Sequence, residues 1–284
     1  MKIIDPHLHL FDLTLGDYHW LLGEHPPNWP NLDVIRQDHY YNDLRSAAEP
    51  FELVGLVHIE AGFDNQNPIN ELKWLACQMP NFHYRAISYI AIDTPNNTFH
   101  QALSDLNHPS LIGIRDITEG HDGIRLTHDN VVANLTLLAK NNLIFEAQAH
   151  CGHQQYRKAI IQLAKQIPDL QIVITHFGLL SSKDDCQKAL AELANEPNIA
   201  IKYSGQEMCH NAIGDKQAFD LLVNTFGETR IMLASNFPVC LQKIQYHSLW
   251  QQYEANWPNP STFKDVCYLN AKRIYQLDSA YDRI

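Results

Sequence analysis

MKIIDPHLHL, residues 1–10, is the stretch from which the fold can be predicted. Its β-branched Ile3 and Ile4 indicate a short buried strand. Because residues two apart on a strand share a face, His7 and His9 should project together from the C-terminal end of that strand. Two imidazoles on one face can chelate a metal, or can orient and protonate a bound ligand. We therefore interpret the pair as functional, against the alternative of a packed or surface pair.

A strand–helix alternation follows this first strand along the sequence. Strands buried on both faces between helices are near-continuous apolar runs, and eight of them close into a (β/α)8 barrel, the TIM barrel of the α/β class. The seven further apolar runs, each followed by a helical segment, are 51–60, 84–92, 111–117, 143–150, 170–177, 199–204 and 230–234. The predicted helices are 69–79, 98–106, 129–140, 155–166, 185–195, 216–226, 241–254 and 262–276.

The alternation would also suit an open, doubly wound sheet. Such a sheet usually carries a glycine-rich phosphate loop after its first strand, and this sequence has none there. We therefore predict a single barrel domain over residues 1–284, with residues 11–40 forming a long loop over the barrel mouth. That loop contains Tyr18, Trp20 and Trp29, which either cover the site or pack on neighbouring helices.

Composition limits the classes of partner. The net charge of −11 leaves no basic field for nucleic acid or anionic membranes. The six cysteines show no C-x-x-C spacing, which is typical of reduced, packed thiols. No stretch approaches the roughly 20 apolar residues that span a bilayer. We therefore expect a cytoplasmic protein that acts on a small molecule, without a nucleic-acid or membrane partner. The sequence leaves homo-oligomer formation open.

Barrel proteins carry their reactive groups at the C-terminal ends of the strands. The polar residues at those ends, in strand order, are His7, His9, His58, Glu60, Arg115, Asp116, Glu146, Gln148, His150, His176, Lys202, Tyr203, Ser204, Ser235 and Asn236. We interpret His58 and Glu60 as a hydrogen-bonded pair at the barrel rim. The histidines expected in solvated loops are His121, His153 and His210.

Glu146 and Gln148 lie in an otherwise apolar strand, where an unpaired carboxylate is costly. Lys202, Arg115 or a ligand must therefore face them. His7, His9 and His176 would form a hydrolytic site together with a carboxylate on the eighth strand. The carboxylate would take a proton from water, while the imidazoles or a metal polarise the electrophile. This sequence lacks that carboxylate.

Eight short motifs, in a fixed order, carry a family resemblance. They are DPHLHLFD (5–12), YHWL (18–21), GIRD (113–116), FEAQ (145–148), ITHFG (174–178), IKYSG (201–205), SNFPV (235–239) and NAKRIYQL (270–277). With these motifs the chain resembles the amidohydrolase-2 branch of the amidohydrolase superfamily. Within that branch it is similar to the lactonase-like group, which includes 2-pyrone-4,6-dicarboxylate lactonase and sugar-acid lactonases.

The resemblance implies a (β/α)8 fold and hydrolysis of a small cyclic ester, a lactone. The residues expected for catalysis are His7, His9 and His176, which the resemblance implies, together with Asn236 at the family's strand-eight position and Glu146 from the apolar fifth strand. Those expected for substrate binding are Arg115, Tyr18 and Trp20, which lie in motifs of the resemblance, and Gln148 and His150 at the end of the fifth strand. Zinc-binding members of the superfamily use the matching histidines, so His7, His9 and His176 are the expected ligands if a metal is bound. Several lactonases of this branch look able to work without metal. No cofactor is firmly expected, and the alternative is one weakly bound divalent metal, zinc.

The eighth strand departs from the family pattern. Where the family usually has S-D-W-P or S-D-F-P, this chain has Ser235-Asn236-Phe237-Pro238. A neutral amide cannot accept a proton at useful pH, so Asn236 cannot be the general base. Glu146, His176 or His150 could replace it.

Three functions stay open at this point. The first is a lactonase, independent of metal or weakly dependent on it, for an anionic or polyhydroxylated lactone. The second is a zinc-dependent hydrolase or decarboxylase that uses His7, His9, His150 and His176, although it would lack one anionic ligand. The third is a non-catalytic binder of a small acid.

Overall fold

The structure is a computed structural model that describes residues 1–209 and 211–277. The loop position expected for His210 and the last seven residues of the predicted domain lie outside the described residues. Within the described ranges no helix is long and apolar enough to cross a lipid bilayer.

Eight parallel strands form one sheet, and each strand pairs with its neighbours in chain order. The strands are β1 (Lys2–Leu8), β2 (Glu52–Ile59), β3 (Tyr84–Tyr89), β4 (Leu111–Ile117), β5 (Ile144–Gln148), β6 (Ile172–Ile174), β7 (Ile199–Tyr203) and β8 (Ile231–Leu233). The predicted single-domain (β/α)8 barrel is therefore confirmed, and every predicted strand is present. The predicted strand 170–177 is longer than β6, because the backbone turns into a left-handed conformation at His176.

Helices follow the strands on the outside of the barrel. They are α1 (His19–Leu22), α2 (Tyr41–Ala47), α3 (Ile69–Gln78), α4 (Asn96–Asp105), α5 (Asp129–Lys140), α6 (Gln154–Gln166), α7 (Cys186–Ala194), α8 (Asp215–Phe226), α9 (Tyr246–Asn256) and α10 (Asn270–Ile274). The short α1 and α2 were not predicted, since one or two turns show no helical periodicity. The last two predicted helices are interrupted. A 3-10 turn over Val239–Gln242 precedes α9, and a π-helical turn over Asp265–Leu269 precedes α10.

Apolar side chains fill the barrel interior, and the C-terminal segment closes its lower end, where the strands begin. Interior side chains from all eight strands form one buried cluster with this segment: Ile4, Val57, Ile59, Ile87, Ile112, Ile144, Val173, Ala200, Met232, Ala271, Ile274, Tyr275 and Leu277. Arg85, near the start of β3, donates to the carbonyl of Gln276 at 3.0 Å and ties the segment in place. A ligand can therefore enter the barrel only from the C-terminal ends of the strands.

The barrel closes between β8 and β1 through the residues that follow β8. The backbone amide of Asn236 donates to His7 O at 2.8 Å, and the amide of His9 donates to Phe237 O at 2.7 Å. The buried Asp5 carboxylate accepts from Ser235 N (3.1 Å), Ser235 Oγ (2.5 Å), Tyr246 Oη (3.0 Å) and His7 N (3.3 Å). Burial raises the pKa of Asp5 to about 6 even though these hydrogen bonds lower it. One carboxylate thus joins both ends of the sheet directly below His7.

Replacing this carboxylate should loosen the closure. Asp5→Asn keeps the side-chain shape but leaves one acceptor oxygen where four donors converge, so buried donors lose their partner. We expect the free energy of unfolding to fall by about 1–3 kcal/mol, measured by urea denaturation at pH 7. Asp33→Asn is the matched control, because the Asp33 side chain is 97% exposed and should change stability by less than about 0.5 kcal/mol. Equal unfolding free energies for the two variants would contradict this account of the closure.

Candidate active site

A cavity of about 380 Å³ opens at the C-terminal ends of the strands. Its lining combines imidazole, guanidinium, carboxylate and amide groups with aromatic and aliphatic side chains. The lining residues are His9, Trp20, Trp29, Glu60, Ala61, Gly62, Asn65, Tyr89, Arg115, Asp116, Ile117, Arg125, Gln148, His176, Met208, Asn236 and Val239. This is the size of pocket that holds a small organic molecule.

Three histidines converge at this cavity, and we call His7, His9 and His176 the histidine cluster. The ring centroid of His7 lies 4.4 Å from that of His176 and 5.3 Å from that of His9. His9 and His176 line the cavity, whereas His7 is fully buried and contacts both of them. Asn236 also lines the cavity, so residues at or just after the ends of β1, β6 and β8 meet at one place.

The proton position on His9 follows from its partner. Its Nδ1 lies 2.8 Å from the carbonyl oxygen of Ile59, which can only accept. Nδ1 of the neutral ring therefore carries the hydrogen, and Nε2 keeps its lone pair. His9 is consequently a proton acceptor at the edge of the cavity.

The predicted pair of His58 and Glu60 is wrong. His58 Nε2 lies 3.0 Å from Glu71 on α3, and His58 Nδ1 accepts from Leu10 N at 3.2 Å. β2 ends at Ile59, so Glu60 no longer follows the alternation of the strand and turns towards Arg115 instead. His58 thereby holds the chain next to His9 rather than taking part in the cavity.

The end of β7 positions His176. Nδ1 of His176 lies 3.0 Å from the hydroxyl of Ser204. Gly205 follows with φ +73°, a conformation that other residues seldom adopt, and a Cβ at Gly205 would lie 2.6 Å from Nδ1 of His176. The glycine therefore lets the chain pass directly over the imidazole.

Burial keeps the histidine cluster uncharged. Burial and, to a smaller extent, the nearby Arg115 and Lys202 charges together lower the pKa of His176 to about 3. The pKa values of His7 and His9 are also lowered well below their usual value, mainly by burial. At neutral pH the site thus holds three neutral imidazoles.

Arg115 from β4 forms one wall of the cavity. Its Nε donates to Glu60 Oε1 at 2.8 Å, one Nη donates to Glu60 O at 2.8 Å, and the other Nη donates to Gln148 Oε1 at 2.9 Å. Burial raises the pKa of Glu60, and the charge of Arg115 partly offsets this. Gln148 also donates to Glu119 at 3.0 Å. The guanidinium is therefore held rigidly by protein groups.

Glu146 lies deeper in the barrel and does not line the cavity. Its two oxygens accept from Lys202 Nζ at 2.6 and 2.8 Å, and Tyr275 Oη donates to Oε1 at 2.6 Å. Burial lowers the pKa of Lys202 to about 8, and the Glu146 charge opposes that shift. The sequence led us to expect a polar partner for Glu146 and for Gln148, and the structure supplies Lys202 and Arg115. Because Glu146 is enclosed, it has no open path to a water molecule in the cavity.

Two predicted substrate-binding residues lie away from the cavity lining. Tyr18 is fully buried against Phe11 and Phe63, and its hydroxyl accepts from Asp12 N at 3.0 Å. His150 is half-buried beside His153, with 5.7 Å between the ring centroids, because β5 ends at Gln148 and the chain turns away. Trp20 does line the cavity.

The loop over residues 11–40 reaches the cavity through its tryptophans. Trp20 Nε1 donates to Ala61 O at 2.7 Å, and the Trp20 ring lies 5.8 Å from that of Trp29. The backbone amide of Tyr18 donates to Gly62 O at 2.9 Å. These bonds fix the loop on the segment that follows β2, and both indole rings line the cavity.

Several residues near the cavity were not singled out from the sequence. Arg125 binds Asp116 with both nitrogens of its fork, at 2.5 and 2.8 Å. The sequence did contain a signal for it, since a buried Asp116 at the end of a strand requires a cation. Tyr89 and Met208 carried no such signal.

The buried carboxylates near the histidine cluster are paired with cations. The described residues contain no group of three or more His, Cys, Asp or Glu side chains arranged to hold an ion. Glu60 and Glu146 are already paired with Arg115 and Lys202, and Asn236 is neutral. A dication would therefore meet only uncharged ligands beside two buried cations.

Filling the space above His176 should displace its imidazole without unfolding the barrel. Gly205→Ala places a methyl group against His176 Nδ1 and strains the left-handed backbone. We expect the imidazole to move and any catalytic rate to fall at least about tenfold, since small misplacements of catalytic groups are costly. A crystal structure of the variant measures the shift. Gly214→Ala is the control, because a Cβ there meets no atom within 4 Å. An unmoved His176 would contradict this role of Gly205.

Comparison with known proteins agrees with this fold. An uncharacterized protein, y4mH of Sinorhizobium fredii, is 28% identical over 274 residues, which are 89% of this chain and 91% of that protein. Amidohydrolase 2 from Bifidobacterium longum subsp. infantis has a TM-score of 0.77 at 22% identity, over 98% of this chain and 100% of the other. A candidate 2-pyrone-4,6-dicarboxylic acid hydrolase from Pseudomonas putida has a TM-score of 0.70 at 20% identity, over 97% and 98% of the two chains. The amidohydrolase family matches residues 4–277, and the chain belongs to that family.

Proposed function

We propose that the protein hydrolyses a small, uncharged lactone without a metal ion. The observation that carries this proposal is the neutral histidine cluster, set beside a cavity whose neighbouring cations are already paired. Family membership supports a hydrolase, and the likeness to a candidate 2-pyrone-4,6-dicarboxylic acid hydrolase is compatible with a cyclic ester as substrate.

The charges of the lining favour an uncharged, hydroxylated substrate over a carboxylated one. Arg115 already forms an ion pair with Glu60, and Arg125 forms a bidentate ion pair with Asp116. A substrate carboxylate would have to compete with these carboxylates for each guanidinium. Hydroxyl groups, in contrast, can bond to the amide of Gln148 or Asn236. Trp20 and Trp29 offer apolar faces to the C–H side of a ring.

His9 is the best-placed general base. Its Nε2 has a lone pair, and the carbonyl of Ile59 holds the Nδ1 hydrogen, which stabilises the imidazolium that forms on protonation. His176 also lines the cavity, but its hydroxyl partner is compatible with a proton on either ring nitrogen. Glu146 is enclosed and His150 lies away from the cavity, so neither is suited to replace the missing aspartate.

The reaction then needs one water molecule and no oxidant. As the water oxygen bonds to the ester carbonyl carbon, its proton passes to His9 Nε2 and the carbonyl electrons move to the oxygen. The side-chain amide of Asn236 can donate a hydrogen bond to that oxyanion. Collapse breaks the ring C–O bond, and the leaving alkoxide takes the proton back from His9. The product is the open-chain hydroxy acid.

A panel of five- and six-membered lactones tests this function. We expect hydrolysis of uncharged, hydroxylated lactones in preference to carboxylated ones, because the arginines are already paired. His9→Asn should lower kcat by about 10²–10⁴-fold, which is the usual contribution of a general base. His25→Asn, at an exposed position, is the matched control and should leave kcat unchanged.

Asn236→Asp separates this enzyme from a non-catalytic binder. In an enzyme with a histidine base, the variant should hydrolyse the lactone as fast as the wild type or more slowly, since a new anion raises the pKa of the neighbouring imidazoles. A binder that has lost its base should instead gain hydrolysis. The lactonase proposal fails if neither wild type nor Asn236→Asp opens any lactone, or if only the variant does.

The pH profile of kcat/KM should not show the fall near pH 6.5 that protonation of an ordinary histidine base produces. A base with an ordinary imidazole pKa of about 6.5 would lose activity about thirtyfold between pH 8 and pH 5. Burial lowers the pKa of His9 well below this value, so the neutral base persists and kcat/KM should stay nearly level over that range. An acid limb centred near pH 6.5 would contradict the assignment.

Folding must be followed in the same samples. These histidines take up protons on unfolding because their pKa values rise to ordinary values in the unfolded chain. The contribution of these histidines to the free energy of unfolding is therefore fully present above pH 6.5 and declines as the pH falls below that value. Circular dichroism at each pH distinguishes a loss of folded protein from a loss of catalysis.

A further inference from the structure

A buried ammonium group lies directly below the histidine cluster. Lys202 on β7 is fully buried, and its Nζ donates to Pro6 O at 2.7 Å and to both oxygens of Glu146. The same Nζ lies 3.4 Å from Nδ1 of His7. Lys202 thus contacts the backbone and the side chain of the segment that carries His7, although it does not line the cavity.

The position of this ammonium decides the tautomer of His7. An ammonium has donors and no lone pair, so a hydrogen on His7 Nδ1 would point at it without an acceptor. Glu146 Oε2 is 3.8 Å from Nδ1, which is too far for a hydrogen bond. The neutral ring is therefore more stable with its lone pair on Nδ1 and its hydrogen on Nε2.

We propose that Lys202 is a positioning residue that keeps the proton of neutral His7 on Nε2. On the proposed lactonase function, this N–H is a hydrogen-bond donor to the carbonyl oxygen of the bound ester. The H-x-H pair of β1 then presents opposite functions, an acceptor at Nε2 of His9 and a donor at Nε2 of His7.

Two observations agree with a donor at this atom. His7 Nε2 is buried and forms no hydrogen bond within the part of the chain that the structure describes. Nε2 is the ring nitrogen that does not contact Lys202, and the His7 ring packs against the rings of His9 and His176, both of which line the cavity. An oxygen atom bound in the cavity beside these rings would supply the missing acceptor. A metal ion, in contrast, would require a lone pair at Nε2.

Glu146 and Tyr275 keep Lys202 in place. The Glu146 carboxylate balances the ammonium charge inside the apolar barrel, and the Tyr275 hydroxyl bonds to Glu146 from the C-terminal segment. A buried cation without a partner would be strongly unfavourable, so the pair acts as a unit. The tautomer of His7 is thereby connected to side chains from β5, β7 and the C-terminal segment.

Nitrogen-15 NMR of the histidine side chains tests the proposal directly. Spectra of the full-length protein at pH 7, without substrate, distinguish a ring nitrogen that carries hydrogen from one that carries a lone pair. His7→Gln identifies the His7 signals. We expect hydrogen on Nε2 of His7 and on Nδ1 of His9. A His7 ring with hydrogen on Nδ1, or on both nitrogens, would overturn the proposal.

The role of Lys202 is tested by removing the ion pair as a unit. Lys202→Met/Glu146→Gln removes both charges of the pair and leaves neither unpaired. We expect His7 in this variant to move its hydrogen to Nδ1 or to populate both forms. Ile87→Val is the matched control from the barrel interior, since it leaves the ion pair and its hydrogen bonds intact and should keep the wild-type tautomer. If the first double variant does not fold, Lys202→Leu/Glu146→Met replaces it. A folded double variant with His7 still protonated on Nε2 would overturn the role of Lys202.

Kinetics give a second readout for a protein that hydrolyses a lactone. Losing an oxyanion donor should lower kcat by about 10²–10³-fold while KM changes little. A purely structural defect would instead lower the amount of folded protein and leave kcat per folded molecule unchanged. Because the NMR test needs no substrate, failure of the lactonase proposal and failure of this one can be told apart.

Discussion

The ion pair of Glu146 and Lys202 is the constraint on which the site depends. Both side chains are fully buried in a barrel that is otherwise filled with Ile, Val, Ala and Met. Removing one partner of such a pair typically costs about 3–5 kcal/mol, because it leaves an uncompensated buried charge. The two groups therefore have to be considered together, and neither is free to act as a base or as a ligand. On the proposed function, their effect on catalysis is indirect, through His7.

The rest of the site follows the same rule of paired charges. Arg115 is paired with Glu60 and Arg125 with Asp116, so the carboxylates at the barrel mouth are neutralised by protein groups. What remains for a ligand is a set of neutral imidazoles and amides under two tryptophans. Such a surface suits an uncharged molecule and chemistry that moves protons between neutral groups. Asn236 is consistent with this pairing of charges, since an aspartate there would introduce an additional anion.

Much of the fold could be predicted from the sequence, because parallel strands buried between helices must be apolar throughout and recur at regular spacing. The same logic located His9, Arg115, Gln148, His176 and Asn236 at one end of the barrel. It failed where the chain leaves the strand alternation: Glu60 turns to Arg115, and His150 turns away after β5. Tyr275 could not have been found, because its contact with Glu146 joins residues 129 positions apart through the lower end of the barrel.

The central proposal is that a neutral histidine cluster, whose neighbouring carboxylates Glu60, Asp116 and Glu146 are paired with cations, performs hydrolysis without a metal. The most direct measurement determines zinc content and lactone turnover in one sample after dialysis against a mild chelator. If hydrolysis needs no metal, the sample should contain substoichiometric zinc and keep an unchanged turnover rate, with no stimulation when zinc is added back. A rate that falls in proportion to the zinc removed, and returns on its addition, would contradict it.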